Sequence, residues 1–171
     1  MSAEIVNFQK PAQVSVILDR LRSAHNVGNI FRLAEAVAAS EIICCGYTAA
    51  PPHPKLEKTA MGADKMVPCR VFNTAADAID ALRQEGYAQI LAVEADNNSC
   101  DALDFNYSFP LAIVLGNEAL GVSQEALEKV DGIVSLPMLG KKASINVGNC
   151  AAVVLYAIAR KIKNNQGKNI S

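Results

Sequence analysis

The sequence predicts an α/β fold: a mainly parallel sheet with helices on both faces. Two observations carry that expectation. Short apolar runs alternate along the chain with stretches whose apolar residues recur at helical spacing. The runs are also apolar on consecutive residues, as in strands covered on both sides, and strand-helix alternation favours parallel pairing. With 171 residues, one domain is expected, since domains run to about 100–200 residues. We read 1–171 as that single domain, with no linker or repeat.

Val14–Leu18 is the first strand. Behind it Ile30, Phe31, Ala34, Val37 and Ala38 recur at helical spacing. Ile42–Gly46 reads as a second buried strand and Met66–Val71 as a short third. Thr74 is placed to cap a helix with the apolar face Ala75, Ala78, Ile79 and Leu82, ended near Gly86. Gln89–Val93 and Leu111–Leu115 are further strands. Ser123 is placed to cap a helix through Val130, and Ile133–Leu136 follows as a strand. Val147, Ala151, Val154, Ile158 and Ile162 mark the last helix.

Composition excludes several classes of protein. The longest uncharged apolar runs, such as Val14–Leu18 and Leu111–Leu115, fall far short of the ~20 residues that span a bilayer. Met1–Lys10 carries Glu4 and has no apolar signal core, so a cytoplasmic location is expected. A net charge of −1 and a pI of about 6.1 argue against a broad basic surface for wrapping nucleic acid. The cations are nevertheless clustered: Arg20, Arg22, His25 and Arg32; Lys55, Lys58 and Lys65; and Arg160, Lys161, Lys163 and Lys168 in the tail. Solvated faces and compact basic patches both fit this pattern. The five cysteines form no CxxC, and neither His25 nor His53 stands at metal-ligand spacing from them. They are expected to be reduced and mostly buried, and no metal site is expected.

In open α/β sheets ligands sit beyond the carboxyl ends of strands. Three such segments carry polar residues. After the first strand, Asn26 and Asn29 bracket Gly28 at a helix start and Arg32 follows; a helix N-terminus suits a phosphate, although Asn26 as a plain cap and Arg32 paired with Glu35 would also fit. After Leu111–Leu115 comes Gly116-Asn117-Glu118-Ala119-Leu120-Gly121-Val122-Ser123. Its spacing is that of a phosphate-binding P-loop, but Val122 stands in place of the lysine, and no GxGxxG follows a strand. What is left is a glycine-flanked turn that lets backbone approach a ligand, with Glu118 free to accept hydrogen bonds; an ordinary turn fits as well. Third, Ser144 and Asn146 precede the last helix, where simple capping would also place them.

In this order the three segments resemble the three motifs of the SpoU (TrmH-like) branch of the SPOUT RNA methyltransferases. The matches are Asn26-x-Gly28-x-x-x-Arg32, then Leu115-Gly116-Asn117-Glu118-x-x-Gly121, then Leu136-Pro137-Met138 followed by Ser144-Ile145-Asn146-Val147. Pro51-Pro52-His53-Pro54-Lys55 and Lys58-Thr59-Ala60-x-Gly62-Ala63 look like that family too. The third motif departs from the common Ser-Leu-Asn-Val-Ser: Ile145 replaces Leu, and Gly148 replaces the second Ser.

The resemblance implies a C-terminal trefoil knot, a rare exception to unknotted topology, and a homodimer, for which the Val147–Ile162 stripe offers apolar surface. It implies S-adenosylmethionine bound by Leu115, Gly116, Leu136, Met138, Ser144 and Ile145. The acceptor would be a ribose 2′-hydroxyl in RNA, tRNA or rRNA, with tRNA slightly favoured. Arg32 would act near that hydroxyl, supported by Asn26, Glu118, Ser144 and Asn146. An adenine wants apolar walls and a few polar groups, which Leu136, Pro137, Met138 and Ile145 supply. Two other readings are an RNA-binding protein with an inactive cofactor site, and a nucleotide-using small-molecule enzyme; the intact motif residues disfavour the first and the missing P-loop lysine the second.

Overall fold

The structure is a computed structural model that describes residues 13–168; Met1–Lys10 and the last residues of the basic tail lie outside the described part. Seven strands form one sheet in the order β3-β2-β1-β6-β4-β7-β5. They are β1 (Val14–Asp19), β2 (Glu41–Cys45), β3 (Cys69–Phe72), β4 (Gln89–Val93), β5 (Cys100–Asp101), β6 (Leu111–Gly116) and β7 (Gly132–Ser135). Every neighbouring pair is parallel. The order runs away from β1 in both directions, so β1 and β6 flank a topological switch point. That is where an open α/β sheet leaves a crevice at its carboxyl edge.

Among the described residues five α-helices cover the sheet: α1 (Ala24–Ala36), α2 (Pro54–Ala60), α3 (Ala75–Gln84), α4 (Gln124–Leu127) and α5 (Val147–Lys168). Alternate residues of each central strand enter one of two cores, because successive side chains point to opposite faces. Val16, Leu18, Ile113 and Leu115 pack with α1, α2 and α5, whereas Ile17, Ala112 and Val114 pack with α3 and α4. The central strands are buried along almost their whole length, which is why they read as unbroken apolar runs.

Several expected boundaries shift. The third strand starts at Cys69, not Met66, because the amides of Met66 and Val67 turn back onto the carbonyl of Ala63. The helix expected through Val130 lasts four residues; the Ser123 hydroxyl caps nothing, and its amide donates to Asp19 Oδ2 at 2.6 Å. The helix capped by Thr74 forms as expected, with Thr74 Oγ1 accepting from the Asp77 amide. The α5 stripe mostly faces its own core: Ala151, Val154 and Ile158 are buried, with Val147 and Ile162 packed against them. The apolar residues that α5 exposes are instead Val153 and Tyr156. Two cysteines are buried, two are half-buried and Cys100 is exposed; all five are free, so the expectation that most are buried does not hold.

Candidate active site

The helix after β1 begins at Ser23, whose hydroxyl accepts from the Asn26 amide at 3.2 Å. Ser23 is therefore the cap, and Asn26 is not. This leaves the Asn26 side chain, in the first turn, free for longer-range contacts. Asn26 Nδ2 donates to Glu118 Oε1 at 3.0 Å, and Asn26 Oδ1 accepts from Asn146 Nδ2 at 3.2 Å. Asn146 in turn caps α5, its Oδ1 accepting from the amides of Gly148 (2.8 Å) and Asn149 (3.3 Å). One polar chain thus ties together the loops after β1, β6 and β7.

Glu118 is the acceptor at the centre of that chain. Besides Asn26 it accepts the amides of Arg22 (2.9 Å) and Ser23 (3.1 Å). Burial opposes its charge, but these donors outweigh burial and hold the carboxyl below its ordinary value. The loop carrying it is set by Asn117, which is buried. Asn117 Oδ1 accepts the amides of Ala119 and Leu120, its Nδ2 donates to the Arg20 carbonyl, and its backbone pairs with Gly121 in both directions. Composition alone did not single Asn117 out.

The loops enclose a cavity of about 290 Å³ above the carboxyl ends of β4, β6 and β7. Of the residues expected to hold a cofactor, Leu115, Gly116, Leu136, Met138, Ser144 and Ile145 all line it. Glu118 and Asn146 line it as well. Apolar groups from Val93, Leu136, Ile145 and Val147 stand beside Glu94, Ser144 and loop backbone. The volume is close to the lower bound of small-molecule sites, about 300 Å³, and this mixture of flat apolar wall and a few polar groups fits an adenosyl moiety. Gly116 also has a packing reason to be glycine. A Cβ there would come within 2.3 Å of the Gly121 carbonyl carbon and the Val122 nitrogen, so the glycine lets the loop close on itself.

Arg32 is exposed on α1 and is not part of the cavity wall. Among the described residues it forms no ion pair, with Glu35 or any other acid. Gly28, in the same motif, is a packing residue: a Cβ there would lie 2.0 Å from Thr59 Oγ1 and 2.5 Å from the Leu56 carbonyl oxygen. The substituted position Gly148 faces Asn29, whose Nδ2 would be 2.9 Å from a Cβ. Asn29 thus occupies the space toward which a side chain at 148 would grow. Cys150, at the cavity floor, has its thiol pushed up by burial and by Glu94, which makes it a poor nucleophile. Among the described residues no cluster suited to a metal ion occurs and no helix is long and apolar enough to cross a membrane.

Glu94 escaped the sequence reading, although a charge directly after the apolar run Gln89–Val93 marks the carboxyl end of a strand.

Comparison with known proteins agrees with this geometry. The chain is 32% identical over 151 residues to the 23S rRNA (uridine(2479)-2′-O)-methyltransferase of Streptomyces viridochromogenes, covering 86% of this chain and 53% of that protein. It is 30% identical over 159 residues to the tRNA (guanosine(18)-2′-O)-methyltransferase of Escherichia coli K12, covering 91% of this chain and 67% of that protein. The crystal structure of the SpoU methyltransferase AviRb from Streptomyces viridochromogenes in complex with AdoMet superposes with a TM-score of 0.80 at 29% identity, over 90% of this chain and 59% of that one. The chain therefore spans between about half and two thirds of the length of these relatives. Residues 13–156 match the SpoU rRNA Methylase family, and with the parallel sheet and the three joined loops in place, the chain belongs to that family.

Proposed function

We propose that this chain is a single-domain S-adenosylmethionine-dependent methyltransferase acting on a ribose 2′-hydroxyl of RNA. The observation that carries the reading is the chain of hydrogen bonds Glu118–Asn26–Asn146, which joins three segments far apart in sequence around one adenosyl-sized cavity. Relatives named for rRNA and for tRNA methylation support RNA as the acceptor; tRNA is favoured slightly, because compact basic clusters rather than a broad basic surface would have to choose it.

The cofactor supplies an electrophilic methyl group, and the protein's part is to position the two reactants. Leu115, Leu136, Met138 and Ile145 take the base, while Gly116, Ser144 and neighbouring backbone supply polar contacts. Asn26, Glu118 and Asn146 tie the loops that wall the cavity to the start of α1. Arg32 carries a planar fork of donors that matches a phosphate at two points, so it grips an RNA phosphate and orients the hydroxyl. Its place outside the cavity wall suits a group that meets RNA and not cofactor. The same reading includes the C-terminal trefoil knot, a cytoplasmic location and a homodimer in which Val153 and Tyr156, 42% and 55% exposed, become covered.

The test is to compare tRNA and rRNA from a strain lacking the gene with the parent, mapping 2′-O-methylation by mass spectrometry. Loss of one methylated ribose, restored by the purified chain with S-adenosylmethionine, is the expected result. Unchanged RNA methylation, with no cofactor heat by calorimetry, would leave only an RNA-binding role.

A further inference from the structure

Glu94 follows β4 directly, between the two neighbouring strands, β6 and β7, whose loops wall the cavity. Its Oε2 accepts the Val122 amide at 2.9 Å and its Oε1 the Ala95 amide at 3.2 Å. Gly121 is pressed against it: a Cβ there would lie 2.4 Å from Oε2, and the residue keeps a φ of +70°. An ionised carboxylate offers about four lone-pair sites. Two are used here, one on each oxygen, and the other two remain. Among the described residues no cation pairs with it.

The second carboxylate of the cavity is in the opposite condition. Glu118 receives three donors from the start of α1, so it serves to fix a loop. Glu94 is half-buried, is held in one orientation by backbone and retains acceptor capacity on both oxygens. A flat pair of neighbouring acceptors matches a vicinal pair of O–H donors, which a purine ring lacks and a ribose has. An acid placed after a strand to read ribose hydroxyls is a recurring solution in α/β folds.

We propose that Glu94 binds the ribose diol of the adenosyl group, one oxygen to each hydroxyl, and that this residue makes the cavity selective for a ribonucleoside. The inference rests on the cavity being the adenosyl site proposed above.

Calorimetry on the full chain tests it, with S-adenosylhomocysteine, its 2′-deoxy and 3′-deoxy analogues and S-adenosylmethionine as titrants. A hydrogen bond to a charged acceptor contributes roughly 1.5–3 kcal/mol, or about 10–150-fold in affinity. The parent protein is expected to lose affinity of that order for each deoxy analogue. Glu94→Ala should bind all three homocysteine-type ligands equally and keep the parental ratio between S-adenosylmethionine and S-adenosylhomocysteine. Glu94→Gln retains one oxygen for the Val122 amide, so it protects the turn if the alanine variant unfolds, and it should still show reduced discrimination. Deoxy analogues that bind the parent as well as the ribose form, or a Glu94→Ala variant that discriminates like the parent, would overturn the proposal. A loss confined to S-adenosylmethionine would mean that Glu94 pairs with the sulfonium charge instead. If S-adenosylhomocysteine does not bind the parent at all, the adenosyl reading of the cavity fails first, a result distinct from the others.

Discussion

Asn26 Nδ2 donates to Glu118 Oε1 at 3.0 Å across 92 residues of sequence. Glu118 also accepts two backbone amides on the same side, so the carboxylate, and not the asparagine, organises the junction between β1 and β6. The sequence puts Asn26 at a helix start and Glu118 in a turn, each after a strand, but nothing in their spacing says that one fixes the other.

Glu118→Gln should loosen this junction. The glutamine amide nitrogen cannot accept the Arg22 or Ser23 amide, so at least one hydrogen bond is lost, at about 1 kcal/mol. For a chain of this size that corresponds to a fall of about 2–4 °C in Tm. Because folding lowers the Glu118 carboxyl value, its contribution is complete above the ordinary glutamate value of about 4.3 and fades as pH drops through the lowered one. Thermal melts from pH 7 to pH 3 check this: the gap between parent and variant should stay constant to about pH 5 and then narrow. A gap that widens in acid would contradict the assignment.

Two glycines that look equivalent in the sequence should behave differently. Gly28→Ala would drive a Cβ into the Leu56 carbonyl and the Ala60 amide, both backbone of α2. Overpacking against backbone costs up to about 3 kcal/mol and outweighs the ~1 kcal/mol of helix propensity gained, so a net loss of about 1–2 kcal/mol should lower Tm by about 2–8 °C. Gly148→Ala meets the ends of two side chains: the exposed Asn29 (Nδ2 at 2.9 Å), which can swing aside, and Asn146 (Oδ1 at 3.1 Å), which must give by a few tenths of an ångström. Helix propensity then roughly balances the displacement, and Tm should stay within about 3 °C of the parent. Circular dichroism melts of the two variants decide the matter, and equal losses would show that α1 and α2 are not packed through Gly28.

These contrasts show what was legible in the sequence. β4 was read to the residue and the other central strands to within one residue at each end, because burial on both faces leaves an uninterrupted apolar run. The seven-residue α2 was missed, since it is too short to show a period and opens on Pro54. The two-residue β5 carries no apolar signal at all. In the site, the polar residues of all three loops could be named in advance. Their partners could not, because the Asn26–Asn146 contact at 3.2 Å depends on how the sheet brings the loops together. Arg32 could be named as a candidate, but its position outside the cavity wall could not be read from spacing.

The proposed homodimer follows from the exposed pair Val153 and Tyr156 on α5, since the rest of that helix's apolar stripe is covered by its own core. Sedimentation at micromolar concentration should give twice the chain mass of 18.2 kDa. Tyr156→Glu should shift the protein toward monomer, because a charge in the centre of an apolar interface is not solvated. A single-chain mass for the parent would remove the dimer, and a dimeric Tyr156→Glu would move the interface elsewhere.

Arg32→Ala should abolish 2′-O-methyl transfer while leaving cofactor affinity nearly unchanged. The side chain is exposed, lies outside the cavity wall and has no acidic partner among the described residues. Its loss therefore disturbs neither packing nor the adenosyl contacts. A residue that acts on the acceptor changes the rate without changing cofactor binding, so single-turnover transfer and calorimetry on the same preparation separate the two effects. Arg32→Lys is the informative companion: lysine keeps the charge but loses the planar fork that grips phosphate at two points. If the fork matters, the lysine variant should be nearly as slow as the alanine one; if charge alone matters, it should retain much of the rate. An alanine variant that methylates its RNA at close to the parental rate would make Arg32 an ordinary surface arginine. The acceptor side of the site would then have to be sought among the neighbouring cations Arg22 and His25.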